Sequence, residues 1–282
     1  MFLGCFKNQK YYRCKPELGV SPSIVSRRIS EIESHFGLSL FNKRQNGYFL
    51  TEAAKNILSL VEETERNINY IERKIVGYNT ESKKIVKIEL PELLGQYLIF
   101  PALKNFQETH PNIKFDISND IRNSKLATRS SDIVVRMSMP SSGAYKAKKI
   151  GEVSQSLFCS KNYFNRFGSP KSKDELINHY LIGWDDGYQT IPLSKWFLDI
   201  KGDAEYWIKT SNFNSQLQAV KSDLGIGVLP HFINFDSTLV PVLDEIDPLT
   251  SEVWLLRNIE TQSLGYVGDV FDFIEKVIKE RL

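Results

Sequence analysis

Residues 17–54 read ELGVSPSIVSRRISEIESHFGLSLFNKRQNGYFLTEAA, and the rest of the 282-residue chain is organised around them. Leu18-Gly19-Val20 has the form of a helix end followed by a tight turn, since glycine accepts the left-handed backbone a helix stop requires. Ser21 offers an N-cap, and Pro22 stands at a first helical position, where its missing N–H costs nothing. Val25, Ile29 and Ile32 recur at helical spacing and predict a core-facing stripe. The other face carries Ser23, Ser26, Arg27 and Ser30, with Arg28 on its flank. Small hydroxyls allow close approach to a surface, and guanidinium groups clamp phosphates or bond two atoms of a guanine. The pattern predicts the second helix of a helix-turn-helix, inserted in a DNA major groove. Phe36-Gly37 ends it. Lys43-Arg44-Gln45-Asn46-Gly47 forms a basic turn between apolar flanks, and Thr51 caps a new helix. The order is recognition helix, two-stranded wing with a cationic tip, then helix, with Lys43 and Arg44 against the phosphates beside the groove.

LGVSPSIVSRRISEIE, Leu38-x-Leu40-Phe41-x-Lys43 and Leu50-Thr51-Glu52-Ala53-Ala54 together resemble the winged helix-turn-helix of the LysR-type transcriptional regulators. The likeness is nearly continuous over residues 18–54. A surface helix with arginines on a solvated face is the plainer meaning of such charge, and the wing pattern that follows argues against it. Family members carry two helices before Leu-Gly-Val. Here residues 1–16 show no 3.6-residue period, and Pro16 stands where the middle of the second helix belongs; proline there costs about 3 kcal/mol. Either that helix starts after Pro16, or the true start of the gene lies elsewhere. The second reading makes the chain a small-molecule-binding protein with a truncated or non-functional DNA-binding head.

Charge supports a polyanion-binding end. The chain is only +2 overall, yet residues 1–50 hold eight Lys/Arg and three acids, net +5, against −3 for the remaining 232. A hydrophobic content of 41% and a charged content of 25% are ordinary for globular domains, and the length allows two or three of them. No apolar run of membrane-spanning length and no secretory leader is visible. Cys5, Cys14 and Cys159 are an odd number without metal-ligand spacing, which fits a reducing cytoplasm.

Residues 51–77 read as one long helix. Ala54, Ile57, Leu58, Val61, Ile68, Ile71 and Ile75 form a stripe near heptad spacing. An ordinary helix packed on its own domain has the same signature; after a wing it resembles the family's dimer-forming linker helix. Residues 77–82 are polar and helix-poor, a hinge. Beyond residue 84, strands (85–90, 114–118, 133–137, 156–159, 206–209, 226–229, 253–256) alternate with helices (97–110, near 174–178, 214–222, 267–281). Such alternation implies parallel sheets with helices on both faces.

Phe100-Pro101-Ala102-Leu103, Ser131-Asp132-Ile133-Val134-Val135-Arg136, Ser156–Ser160 and Leu224-Gly225-Ile226-Gly227-Val228-Leu229-Pro230 resemble the co-inducer domain of the same family. That implies a multidomain protein: a winged helix-turn-helix (1–51), a linker helix and hinge (52–82), and a two-lobed α/β domain (83–282) like type II periplasmic binding proteins. Lobe I is expected near 83–157 and 255–282, lobe II near 158–254. The resemblance places an effector between the lobes, against Pro91, Glu92, Leu93 and Leu94 after the first strand, Arg136 and Ser138, and across from them Asn212, Phe213 and Gly225. Arg136 favours a carboxylate. Taken singly, Arg136 reads equally well as an ion pair, Asn212 as a helix cap and Gly225 as a tight turn. Implied partners are double-stranded promoter DNA, a small-molecule effector, a second copy in a homodimer or homotetramer, and RNA polymerase. Neither cofactor nor metal is expected. Enzyme motifs are missing: Gly225-x-Gly227 lacks a third glycine, and the four histidines have no partnered spacing.

Overall fold

A computed structural model describes residues 22–44, 47–78, 84–119, 131–139, 144–188, 191–233 and 237–282. The expected turn at Gly19, the Ser21 cap, Cys5, Cys14, the Gln45-Asn46 tip and most of the hinge lie outside them. The chain divides into two compact units, residues 1–78 and 79–282.

In the first unit, α1 (Pro22–Phe36) ends as the sequence predicts. Gly37 takes a left-handed φ of +65°, and the Leu38 N–H returns to the Glu33 carbonyl at 3.1 Å, the closing bond of a Schellman-type stop. Strands β1 (Phe41–Arg44) and β2 (Gly47–Leu50) pair antiparallel to make the wing. Helix α2 (Glu52–Tyr78) follows in one run. Leu40 and Ala54 are buried, with Ile32, Phe41, Leu50 and Leu58 packed around them. This small core joins the three elements.

Among the described residues, the second unit is built on a nine-stranded sheet. Its strands are β3 (Lys84–Glu89), β4 (Ile113–Ser118), β5 (Ile133–Arg136), β6 (Tyr145–Ser160), β7 (Leu181–Trp184), β8 (Tyr206–Thr210), β9 (Ile226–Pro230), β10 (Leu239–Val242) and β11 (Leu249–Asn258). The order is β4-β3-β5-β11-β6-β9-β7-β8, with β10 also on β6. The expected all-parallel sheet is corrected to a mixed one. β3 runs parallel to β4 and β5, and β7 to β8 and β9. β11 is antiparallel to both β5 and β6, and β6 to β9 and β10. The sixteen-residue β6 replaces the short strand expected at 156–159.

Helices cover both faces. After β3 comes a continuous helical run: one turn at Glu92–Leu94, a π-helical stretch at Gly95–Ile99, then α3 (Phe100–Thr109). The remaining helices are α4 (Lys161–Phe167), α5 (Pro192–Lys201), α6 (Phe213–Lys221) and α7 (Gly265–Arg281). Strand alternation feeds two apolar clusters. Leu157 and Cys159 of β6 enter one with α5, while Phe158 between them enters the other with α3, α6 and α7. β7 and β9 are therefore buried on both faces along their whole length.

Gly225 marks the turn from α6 into β9. Its φ is +155°, and an added Cβ would strike the Tyr180 carbonyl oxygen, to which the Ile226 N–H bonds at 2.8 Å. Gly225→Ala is expected to destabilise the second unit by about 1–3 kcal/mol through backbone strain and overpacking. All four tryptophans lie in that unit, so their fluorescence in a urea titration reads its unfolding alone; an unchanged midpoint would refute the close approach.

Candidate nucleic-acid interface and inter-lobe site

On α1, Ile29 is buried at 6% exposure while Ser23, Ser26, Arg27, Arg28 and Ser30 are exposed. The Arg27 and Arg28 side chains are 70% and 61% exposed and both reach Glu31, at 3.4 and 3.1 Å. Pairs so solvated are worth little, so either guanidinium can exchange Glu31 for a phosphate at small cost. Pro22 is the first residue of the helix, and Lys43 and Arg44 fall at the turn end of β1.

The orientation of this face is fixed from behind. The Glu33 carboxylate accepts the backbone N–H groups of Leu40 and Phe41 at 2.6 and 3.2 Å, tying α1 to the start of the wing. The Thr51 hydroxyl donates to the Ser39 carbonyl at 2.8 Å and accepts from the Ala54 N–H at 3.2 Å, so it caps α2 and anchors the wing together. Sequence reasoning missed Glu33, whose partners lie seven and eight residues on.

In the second unit, strand ends and helix starts converge. Pro91 and Glu92 are half-buried at the end of β3; Leu93 and Leu94 point into the core and belong to the apolar cluster. Arg136 ends β5, and its Nη2 donates to Glu89 Oε1 at 2.9 Å, with side-chain exposures of 14% and 5%. Ser138 is exposed beyond it. On the other lobe Asn212 caps α6, its Oδ1 accepting from the Ser215 N–H at 2.7 Å. Phe213 lies half-buried against Trp184 and Tyr188, with centroids 5.6 and 6.5 Å away. The lobes meet here: Glu92 Oε2 accepts the Asn214 N–H at 3.3 Å. Gly225 is buried at the Tyr180 carbonyl. Arg136, Asn212 and Gly225 thus each carry a structural duty. Glu89 and Asn214 went unread because their partners are 47 and 122 residues distant.

The motif at Ser131-Asp132 is a clamp. Asp132, fully buried, accepts the Lys87 N–H on Oδ2 at 2.8 Å, and the Ser131 carbonyl receives Tyr145 and Asn258 at 3.3 Å each. Burial, then the nearby Glu89 and Asp132 charges, push the Tyr145 hydroxyl up to about 12. A surface depression of about 570 Å³ lies elsewhere, among Ser172, Trp196, Asp199 and Glu245 on the second lobe; it contains none of the strand-end residues, and the geometry above is the better guide to a ligand. Among the described residues no group of three His, Cys, Asp or Glu side chains could hold a metal, and no helix is long and apolar enough to cross a membrane.

A helix-and-wing head followed by a long helix and a two-lobed mixed α/β body defines a class of bacterial regulator. Residues 16–55 match the bacterial regulatory helix-turn-helix protein, lysR family, and residues 79–278 match the LysR substrate binding domain. The chain belongs to the LysR family of DNA-binding transcriptional regulators, with an effector-binding domain. It is 24% identical to the HTH-type regulator YcaN of Escherichia coli over 182 residues, 64% of this chain and 60% of YcaN. It is 22% identical to YhjC of the same organism over 234 residues, 81% of this chain and 77% of YhjC. The full-length Vibrio cholerae virulence activator AphB shares its fold, with a TM-score of 0.62 at 22% identity over 100% of this chain and 97% of AphB. With residues 16–55 matched to the family's helix-turn-helix, a small-molecule-binding protein with a truncated or non-functional DNA-binding head is not favoured.

Two expectations follow. Arg136→Ala strands the buried Glu89 carboxylate and should cost roughly 3–5 kcal/mol, with the Glu89→Gln/Arg136→Gln double variant recovering much of it; equal losses in denaturant titrations would show that the pair is not coupled. Burial pushes the Cys159 thiol up to about 12. At pH 8 it is therefore protonated, and mass mapping after treatment of the native protein with a thiol reagent should find Cys159 unlabelled until the chain unfolds.

Proposed function

We propose that this protein binds promoter DNA as a homodimer or homotetramer in the cytoplasm and changes its grip when a small molecule enters between the two lobes. The observation that carries the DNA role is the exposed Ser23, Ser26, Arg27 and Arg28 face of α1, braced from behind by Ile29 and Glu33. On this reading α1 lies in the major groove with Pro22 at its entering end; Ser21, the preceding residue of the motif, lies outside the described residues. Lys43 and Arg44 flank it on phosphates. Residues 1–51 act as the head, 52–82 as linker and 83–282 as sensor, divided into lobes near residues 157 and 255.

Self-association is supported by α2. Ile57, Val61, Thr64, Ile68, Ile71 and Ile75 follow alternating four- and three-residue steps, and Ile68, Ile71 and Ile75 are more than half exposed. A seam of that period, apolar but for Thr64, suits a twin helix. The effector is read at Pro91, Glu92, Arg136, Ser138, Asn212 and Phe213, with Leu93, Leu94 and Gly225 shaping the wall behind. It acts by differential affinity for two arrangements of the oligomer. Membership of a regulator family supports a binding protein rather than an enzyme, and RNA polymerase is a further partner on this reading.

Binding to the DNA upstream of its own gene should weaken steeply with salt, as phosphate-contacting proteins do. Arg27→Ala should lose about 1–3 kcal/mol of that affinity if it reads a base, while tryptophan-monitored unfolding stays as in the parent. An affinity indifferent to Arg27 would refute groove insertion by α1. Ile68→Glu with Ile71→Glu should shift the mass measured by light scattering toward the monomer; an unchanged mass would place the oligomer contact elsewhere.

A further inference from the structure

Helical spacing puts Phe213, Gln216, Leu217 and Val220 on one face of α6. Phe213, Leu217 and Val220 pack in the apolar cluster that also holds Leu93 and Leu94 of the first lobe. Gln216 is wholly buried on that face, and neither its Oε1 nor its Nε2 has a hydrogen-bond partner. Trp184, 2% exposed, lies against Phe213, and its Nε1–H is likewise unpartnered. Folded proteins pair the large majority of such groups. These three unpartnered atoms, on Gln216 one helical turn from Phe213 and on Trp184 against the Phe213 ring, mark a place beside the lobe contact for the polar atoms of a bound molecule.

The surrounding charge narrows its class. The positive end of α6 is answered by the Glu92 carboxylate through the Asn214 N–H. The charge of the Arg136 guanidinium is answered by Glu89 through Nη2. An incoming carboxylate would meet these two carboxylates and find the arginine's charge already balanced, with only its buried Nε left without a partner. We propose that the effector is a neutral molecule bearing an amide-type donor and acceptor on an aromatic body, read by Gln216 and Trp184, and that Glu92 turns carboxylates away. This rests on the inter-lobe effector reading above and replaces its carboxylate by an uncharged ligand.

Benzamide and benzoate, matched in shape and differing in charge, test it on the full chain by calorimetric titration and thermal unfolding. Benzamide should bind saturably and raise the melting temperature, and benzoate at the same concentration should do neither. Gln216→Leu should weaken benzamide at least tenfold while the ligand-free protein melts no lower than the parent, since an unpaired amide is removed. Glu92→Gln should bring benzoate within tenfold of benzamide. Benzoate binding the parent as tightly as benzamide overturns the assignment. So does benzamide binding that ignores Gln216→Leu, or no response to either probe. Salt-titrated DNA binding on the same samples separates the two levels: intact DNA binding with a failed probe pattern removes the ligand class and leaves the regulator.

Discussion

The ladder between β6 and β11 carries the second unit. Ten residue pairs, from Leu249 opposite Gln155 to Asn258 opposite Tyr145, join the two strands. A register shift at Val253/Trp254 bends them part-way along. β11 then offers its other edge to β5 and so to the first lobe, while the far half of β6 takes β9 and β10 of the second. Every other strand reaches the sheet through one of these two. Because β6 alternates its side chains between faces, it also feeds both apolar clusters at once. The lobes are thus covalently and sterically continuous through their shared sheet, and the Glu92–Asn214 contact closes them at a second point.

That arrangement explains which parts could be read from the chain. Helices α1 and α2 announce themselves because each has one apolar stripe and one solvated face, so the 3.6 period survives. Long β6 does not. Its first five residues, with Lys146, Lys148 and Lys149, are exposed or half-buried, and its last four are buried on both sides. Burial alternates only between Val153 and Leu157, where Ser154, Gln155 and Ser156 carry no apolar pattern, so only the buried end reads as a strand. β7, four residues with a glycine, is too short to show any period. α5 was legible and passed over: Pro192 at its start and Leu193, Phe197 and Ile200 at helical spacing are ordinary signals.

Site residues divide on the same line. The outer face of α1 could be named because exposure on a short amphipathic helix is a local property. The effector positions could be placed near the strand ends, but their state could not. Whether Arg136 is free to meet a ligand depends on Glu89, 47 residues earlier on a neighbouring strand. Gln216 carried one faint signal, a polar residue three after Phe213 on an otherwise apolar helix face. Its lack of partners is visible only once the fold has buried it completely.

Two different uses of charge follow. In the head, the Arg27 and Arg28 pairs with Glu31 are solvated and weak, so the cations remain exchangeable. In the body, Arg136 and Glu89 are shielded from water, so separating them leaves a buried charge behind. A polyanion can therefore displace Glu31 from the first set, whereas a small anion has little means of displacing Glu89 from the second. On the proposed reading the same residue type serves as a contact in one unit and as a strut in the other, and solvent access decides between them.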